Sequence, residues 1–103
     1  MGIKKQFLKS KPICKVSFKL NADDAVGAKK VQVLGDFNNW NQSVVSMKEL
    51  KSGGFSQTIS LEQDKDYQFR YLIDGEKWSN EAESDSKTTN VYNEINDIVS
   101  TFK

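Results

Sequence analysis

The chain has 103 residues, a formal net charge of +1, no histidine and one cysteine, Cys14. That length holds one domain with a modest core, and the near-neutral balance gives no bulk field for nucleic acid or an anionic membrane. Without histidine and with a single thiol, a histidine-based dyad or triad, a thiolate zinc site and an intrachain disulfide are excluded.

Residues 1–12 form a basic lead-in, with Lys4, Lys5, Lys9 and Lys11 ahead of Pro12. Such a lysine run reads as a solvated arm, leaving 13–103 as the folded domain. No stretch has the apolar run of a signal peptide or a membrane span, so the cytoplasm is the expected compartment. Met1-Gly2 makes no myristoylation signal, because Gln6 stands where Ser or Thr is needed. Cys14, Val16, Phe18 and Leu20 then alternate with Lys15, Ser17 and Lys19, which predicts a half-buried strand with a lysine-bearing outer face. Residues 21–30 read as a polar loop, and Val31-Gln32-Val33-Leu34 as a second strand that stops at Gly35.

The stretch Gly35-Asp36-Phe37-Asn38-Asn39-Trp40 organises the rest. Gly35 suits a place where the backbone turns or approaches another segment closely. Asn38 and Asn39 tolerate left-handed conformations and bond their own backbone, so they mark a turn. Phe37 is the predicted inward anchor. Trp40 leaves the turn among Asn39, Asn41 and Gln42, and two readings of it stand. An exposed indole flanked by amides packs on the C–H face of a sugar while the amides bond its hydroxyls. Alternatively, Trp40 folds back over Phe37 as a lid on the core.

Val44, Val45 and Met47 give a short, weakly patterned segment, and Lys51-Ser52-Gly53-Gly54 a turn. Phe55, Gln57, Ile59 and Leu61 share one strand face. After a charged turn, Tyr67, Phe69, Tyr71 and Ile73 form an aromatic stripe, with Gln68, Arg70 and Leu72 pointing the opposite way. Asp74-Gly75 signals a hairpin, and two registers are open. A two-residue Asp74-Gly75 turn puts Trp78 opposite Tyr71, in the core. A three-residue loop, Ile73-Asp74-Gly75, puts it opposite Arg70, on the outer face. Residues 80–90 read as a long polar surface loop, and Ile95 to Phe102 as the last strand. Short strands divided by turn signals, with no helical periodicity, predict an all-β antiparallel sandwich. Asp74, Glu76, Glu81 and Glu83 sit in a turn and a polar loop, without the apolar surroundings a glycosidase carboxylate pair needs, so no catalysis is expected.

Together, Gly35-Asp36-Phe37-Asn38-Asn39-Trp40, the Tyr67-Gln68-Phe69-Arg70-Tyr71 strand with Ile73-Asp74-Gly75 and Trp78, and Asn96 resemble the early-set domains of carbohydrate-binding module family 48. That family includes the N-terminal domains of isoamylase and branching enzymes and the glycogen-binding domain of the AMP-activated protein kinase beta subunit. The resemblance runs from about Lys15 to Phe102. It implies an immunoglobulin-like sandwich without catalysis, metal or cofactor, whose ligand is an α-1,4-linked glucan such as glycogen, starch or maltooligosaccharide. In glucan-binding members two tryptophans stack on glucose units, and a basic residue and an asparagine bond the hydroxyls. Those roles fall on Trp40, Trp78, Arg70 and Asn96, with Asn39 and Tyr92 beside them.

The chain departs from the kinase subunit at two places. Its hairpin carries one more residue before Trp78. Tyr92-Asn93-Glu94 stands where the kinase subunit has a leucine and a threonine against sugar, and Glu94 puts a charge where a neutral contact is expected. The resemblance favours the three-residue loop. Enzyme-appended members often keep the scaffold without strong sugar binding. The alternative function is therefore a protein-interaction or regulatory module, with Trp40 and Trp78 as interface anchors. The expected partners are an α-glucan and a glycogen-metabolising enzyme or regulatory protein, with neither nucleic acid nor membrane.

Overall fold

Period-two alternation produces strands along most of the chain. The computed structural model describes residues 2–25, 27–51, 53–81, 84–90 and 92–102, and of residue 24 the backbone alone. Among them the strands are β1 (Gly2–Phe7), β2 (Ile13–Leu20), β3 (Val31–Gly35), β4 (Lys48–Glu49), β5 (Phe55–Glu62), β6 (Asp66–Ile73), β7 (Lys77–Ser79), β8 (Ser86–Thr89) and β9 (Ile95–Ser100). All pairings are antiparallel. One sheet runs β1-β2-β5-β4; the other runs β3-β6-β9-β8, with β7 also on β6. The result is the all-β, immunoglobulin-like antiparallel sandwich. Among the described residues no helix is long and apolar enough to cross a membrane.

Cys14, Val16, Phe18, Leu20, Phe55 and Leu61 supply one side of the core, and Val31, Val33, Phe69, Tyr71, Ile73 and Val99 the other. Their alternate positions place them on the facing sides of the two sheets, where burial of each large side chain contributes about 1.5–3 kcal/mol. Phe69 lies at the centre, with ring centroids 5.0 Å from Phe18 and 6.0 Å from Tyr71, both edge-on.

Three local expectations change. The basic lead-in is not a solvated arm over Gly2–Phe7: β1 pairs with β2 from Gly2↔Lys19 to Phe7↔Cys14. Ile3 and Phe7 share one strand face and pack on the core, while Lys5 between them ion-pairs with Asp85 at 2.7 Å. Residues 80–90 are not loop throughout, because Ser86–Thr89 pairs with β9 as β8. Glu81 is fully buried rather than set in solvated surroundings, whereas Glu83 lies outside the described residues.

β6 is the strand that positions everything else. On one side it pairs with β3, from Val31↔Ile73 to Gly35↔Phe69. On the other it pairs with β9 through Asp66 to Phe69, and with β7 through Tyr71 to Ile73. Arg70 sits between those two ladders, where β9 ends its pairing and β7 begins. Strand alternation turns Arg70 away from Phe69 and Tyr71, onto the outer face. β3 is buried on both faces. Its outer Gln32 donates from Nε2 to the carbonyls of Gln42 and Val44, each at 2.8 Å, and Met47 N–H donates to Val31 O at 2.7 Å. These bonds tie the segment after the turn down to β3.

Candidate functional site

Gly35 ends β3 opposite Phe69 with an extended φ of −171°. Space, not conformation, demands glycine here: a Cβ would stand 2.4 Å from Gln68 O, 2.8 Å from Phe69 Cβ and 2.9 Å from Phe37 Cε2. The chain then turns tightly against β6 through a 3₁₀ segment, Asp36–Asn38. Asn38 locks the turn, accepting Gly35 N–H on Oδ1 and donating from Nδ2 to Val33 O, both at 3.0 Å. Asn39 and Trp40 follow with left-handed φ of 56° each, conformations that cost about 1–3 kcal/mol for a non-glycine residue. Strain of that kind survives only when neighbours hold it. Here Asp36 accepts Gln68 N–H on Oδ2 at 2.8 Å and the Trp40 indole N–H on Oδ1 at 3.2 Å. One carboxylate thus fastens the indole to the sheet.

Phe37 and Trp40 part company across this turn. Phe37 is half-buried, with ring centroids 5.7 Å from Phe18 and 6.2 Å from Tyr67. The half-buried Trp40 meets Trp78 edge-on at 6.2 Å and an interplanar angle of 64°. Trp40 is therefore a neighbour of Trp78 rather than a lid on Phe37.

Trp78 reaches the outer face by a register that neither sequence alternative contained. The loop is Asp74-Gly75-Glu76, with Ile73↔Lys77 and Leu72↔Trp78 paired. Three residues are looped out, but one position further along than expected, so Trp78 stands opposite Leu72 and not Arg70. Asp74 at φ 51° and Gly75 at φ 72° make the reversal. Asp74 Oδ1 accepts both Lys29 N–H and Lys30 N–H at 2.8 Å, which anchors the shifted loop. Alternation still places Trp78 and Arg70 on one face. The Arg70 guanidinium carbon lies over the Trp78 ring, 4.5 Å from its centroid, a cation–π contact. Its Nη2 is 3.6 Å from Glu94 Oε1, and the Arg70 side chain is only 11% exposed. Its Nε is buried with no hydrogen-bond partner among the described residues.

Trp40, Gln42, Arg70, Trp78, Asn90, Tyr92 and Asn96 line one open recess of about 300 Å³ on this face. Asn96 is buried in its floor, donating from Nδ2 to Gln68 Oε1 at 2.9 Å and accepting from Asn90 Nδ2 at 3.4 Å. Tyr92 stands on the rim, 80% exposed. Asn39 is not in the lining; it is exposed and closes the 3₁₀ segment. Gln42, one of the amides the sequence sets beside Trp40, is in the lining, and Asn90 is the addition. Asn90 could have been found as the opening residue of a turn: its Oδ1 accepts Tyr92 N–H at 2.9 Å and Glu94 N–H at 3.1 Å, and Asn93 is left-handed at φ 64°.

A buried polar cluster steadies this turn from the inner side. Tyr71 O–H donates to Glu81 Oε1 at 2.6 Å, and Asp97 Oδ2 accepts Glu81 N–H at 2.6 Å. Lys87 ion-pairs with Asp97 and donates to Glu81 O at 2.9 Å. Glu81 and Asp97 have no exposed surface. Burial of charge is tolerated here because hydrogen bonds and a cation accompany it. The cluster pins the start of the 80–90 segment to β9, from whose other end the rim residues project.

The family model described as the glycogen recognition site of AMP-activated protein kinase matches residues 19–102. The matched span takes in β3 through β9 and every residue that lines the recess. No curated protein sequence gives a significant match to the chain.

Proposed function

The chain belongs to the glycogen-recognition family of AMP-activated protein kinase, a family of carbohydrate-binding domains, and on that premise we propose that it binds an α-1,4-linked glucan non-catalytically in the recess around Trp40. The observation that carries this reading is the convergence of Trp40, Trp78, Arg70 and Asn96, from four separate segments, on one open depression. A shallow recess suits a polymer that must lie across it. Arg70 already covers one face of Trp78, so the main stacking surface in this reading is the Trp40 indole, held by Asp36. Trp78 supports it edge-on and carries Arg70. Arg70 donates to glucose hydroxyls from its terminal guanidinium nitrogens, which Glu94 at 3.6 Å does not occupy with a hydrogen bond. Asn96 and Asn90 offer amide groups at the floor, and Tyr92 extends the contact along the rim. No residue is assigned a catalytic role.

Titration with maltoheptaose, followed by tryptophan fluorescence and the amide spectrum, tests the reading. Saturable shifts are expected, with Trp40→Phe keeping part of the binding and Trp40→Ala losing nearly all of it. Arg70→Ala should weaken binding by about 1–2 kcal/mol. Binding should vary little with salt, because a neutral glucan releases no counterions. Unchanged spectra at millimolar sugar would refute it. They would favour the protein-interaction alternative, for which the exposed Tyr92 beside the two indoles offers an aromatic anchor.

A further inference from the structure

Glu94 is a charged residue of this face that the glucan reading leaves without a role. It is an acidic side chain, 54% exposed, at the edge of a recess whose lining carries a single charge, that of Arg70. Its place is not accidental. Asn90 Oδ1 accepts Glu94 N–H at 3.1 Å, and Asn90 N–H donates back to Glu94 O at 2.8 Å, so the β8–β9 turn presents Glu94 from a fixed backbone.

The separation between Glu94 Oε1 and Arg70 Nη2 is 3.6 Å. The two charges attract at that distance but do not share a hydrogen bond. The guanidinium therefore keeps N–H donors and the carboxylate keeps lone pairs for a third party. Arg70 cannot easily swing away, because its guanidinium lies over Trp78 and its stem is buried. A held donor beside an exposed acceptor on a fixed backbone matches two neighbouring hydroxyls of a pyranose, one accepting from Arg70 and the other donating to Glu94. It also cancels the positive charge that would otherwise draw an anion into the recess.

We propose that Glu94 is the selectivity residue of this site: with Arg70 it reads two neighbouring hydroxyls of one uncharged glucose unit, and its carboxylate offsets the pull that Arg70 would otherwise exert on glucans that carry phosphate. This rests on the glucan reading given above. For a phosphate group about 6 Å from both charges, in largely aqueous surroundings, the effects of Arg70 and Glu94 nearly cancel, and loss of the carboxylate alone would favour it by about tenfold at low ionic strength, and by less as salt screens the pair. Loss of a charged acceptor costs the neutral sugar about threefold.

The test is Glu94→Gln, an exposed substitution of nearly equal shape. Wild type and variant are each titrated with maltoheptaose and with a maltoheptaose bearing 6-phosphate, at low and at high salt, with the amide spectrum as the check on folding. The expected result is that wild type shows little preference of electrostatic origin, and that Glu94→Gln shifts the preference toward the phosphorylated sugar by about tenfold at low salt and by less at high salt. An unchanged preference overturns the assignment, as does tighter binding of both sugars by the same factor, which would make Glu94 a mere obstruction. If wild type binds neither sugar, the glucan reading falls and this assignment with it. If wild type binds maltoheptaose and the preference is unmoved, this assignment alone falls.

Discussion

Two glycine-to-alanine substitutions separate the reasons for which this fold uses glycine. At Gly35 the backbone is extended, so alanine carries no conformational penalty, but its Cβ would lie 2.4 Å from Gln68 O and 2.8 Å from Phe69 Cβ. Ordinary contact lies about 1 Å further out. One obstacle is main chain and the other belongs to a residue with no exposed surface, so neither moves without parting β3 from β6. Overpacking of this kind costs about 1–3 kcal/mol and sometimes more, and the stiffer unfolded chain returns only about 0.4–1 kcal/mol. Contacts this short put the cost at the upper end of that range, so we expect Gly35→Ala to lose about 2 kcal/mol in net stability. At Gly75 the balance reverses: beyond its two chain neighbours, no heavy atom of the described residues lies within 4 Å of the added Cβ, but φ is +72°. Left-handed alanine costs about 1–2 kcal/mol, so after the same entropic return the net loss should be about 1 kcal/mol. Urea unfolding followed by tryptophan fluorescence and circular dichroism measures both from the midpoints, provided that the slopes agree. Equal losses, a reversed order, or a Gly35→Ala protein as stable as wild type would refute the close-approach explanation. They would also undermine the tight turn that presents Trp40.

The remaining predictions concern the turn and the core. Phe37→Ala should cost about 2–4 kcal/mol in the same titration, somewhat below the loss for a fully enclosed ring, because Phe37 is half-buried. Trp40→Ala should cost about 1 kcal/mol, since it gives up an edge-on ring contact and one exposed hydrogen bond; equal losses would make Trp40 a core residue. Burial pushes the Cys14 thiol above its ordinary pKa, against smaller lowering effects from the Gln6 backbone and the Lys5 charge. Because the thiolate is the reactive form, Ellman's reagent should label the native protein only as fast as it opens, and the urea-unfolded protein promptly. Rapid native labelling would show that β1 leaves β2 readily.

Local chemistry decided much of this protein. The alternation from Cys14 to Leu20 and from Tyr67 to Ile73 is a property of adjacent residues, and period two by itself assigns each side chain a face. That was enough to put Arg70 on the outside and Tyr71 in the core. The Gly35 to Trp40 turn is likewise written in neighbours: a residue without Cβ, then amides that bond back to the strand they leave. What required the tertiary structure is whatever depends on a distant partner. The hairpin could reverse at Asp74 as well as at Gly75, since both accept a left-handed conformation, and the Lys29 and Lys30 amides selected the loop by capturing Asp74. Ile3 and Phe7 were hidden among lysines until β2 offered them a face to pack on. Glu81 looked solvated because the stretch from Ser79 to Lys87 is polar apart from Ala82, yet Tyr71 and β9 close over it. The Arg70–Glu94 pair joins β6 to the β8–β9 turn, and a charge on a strand carries no mark of the charge that will face it across the fold.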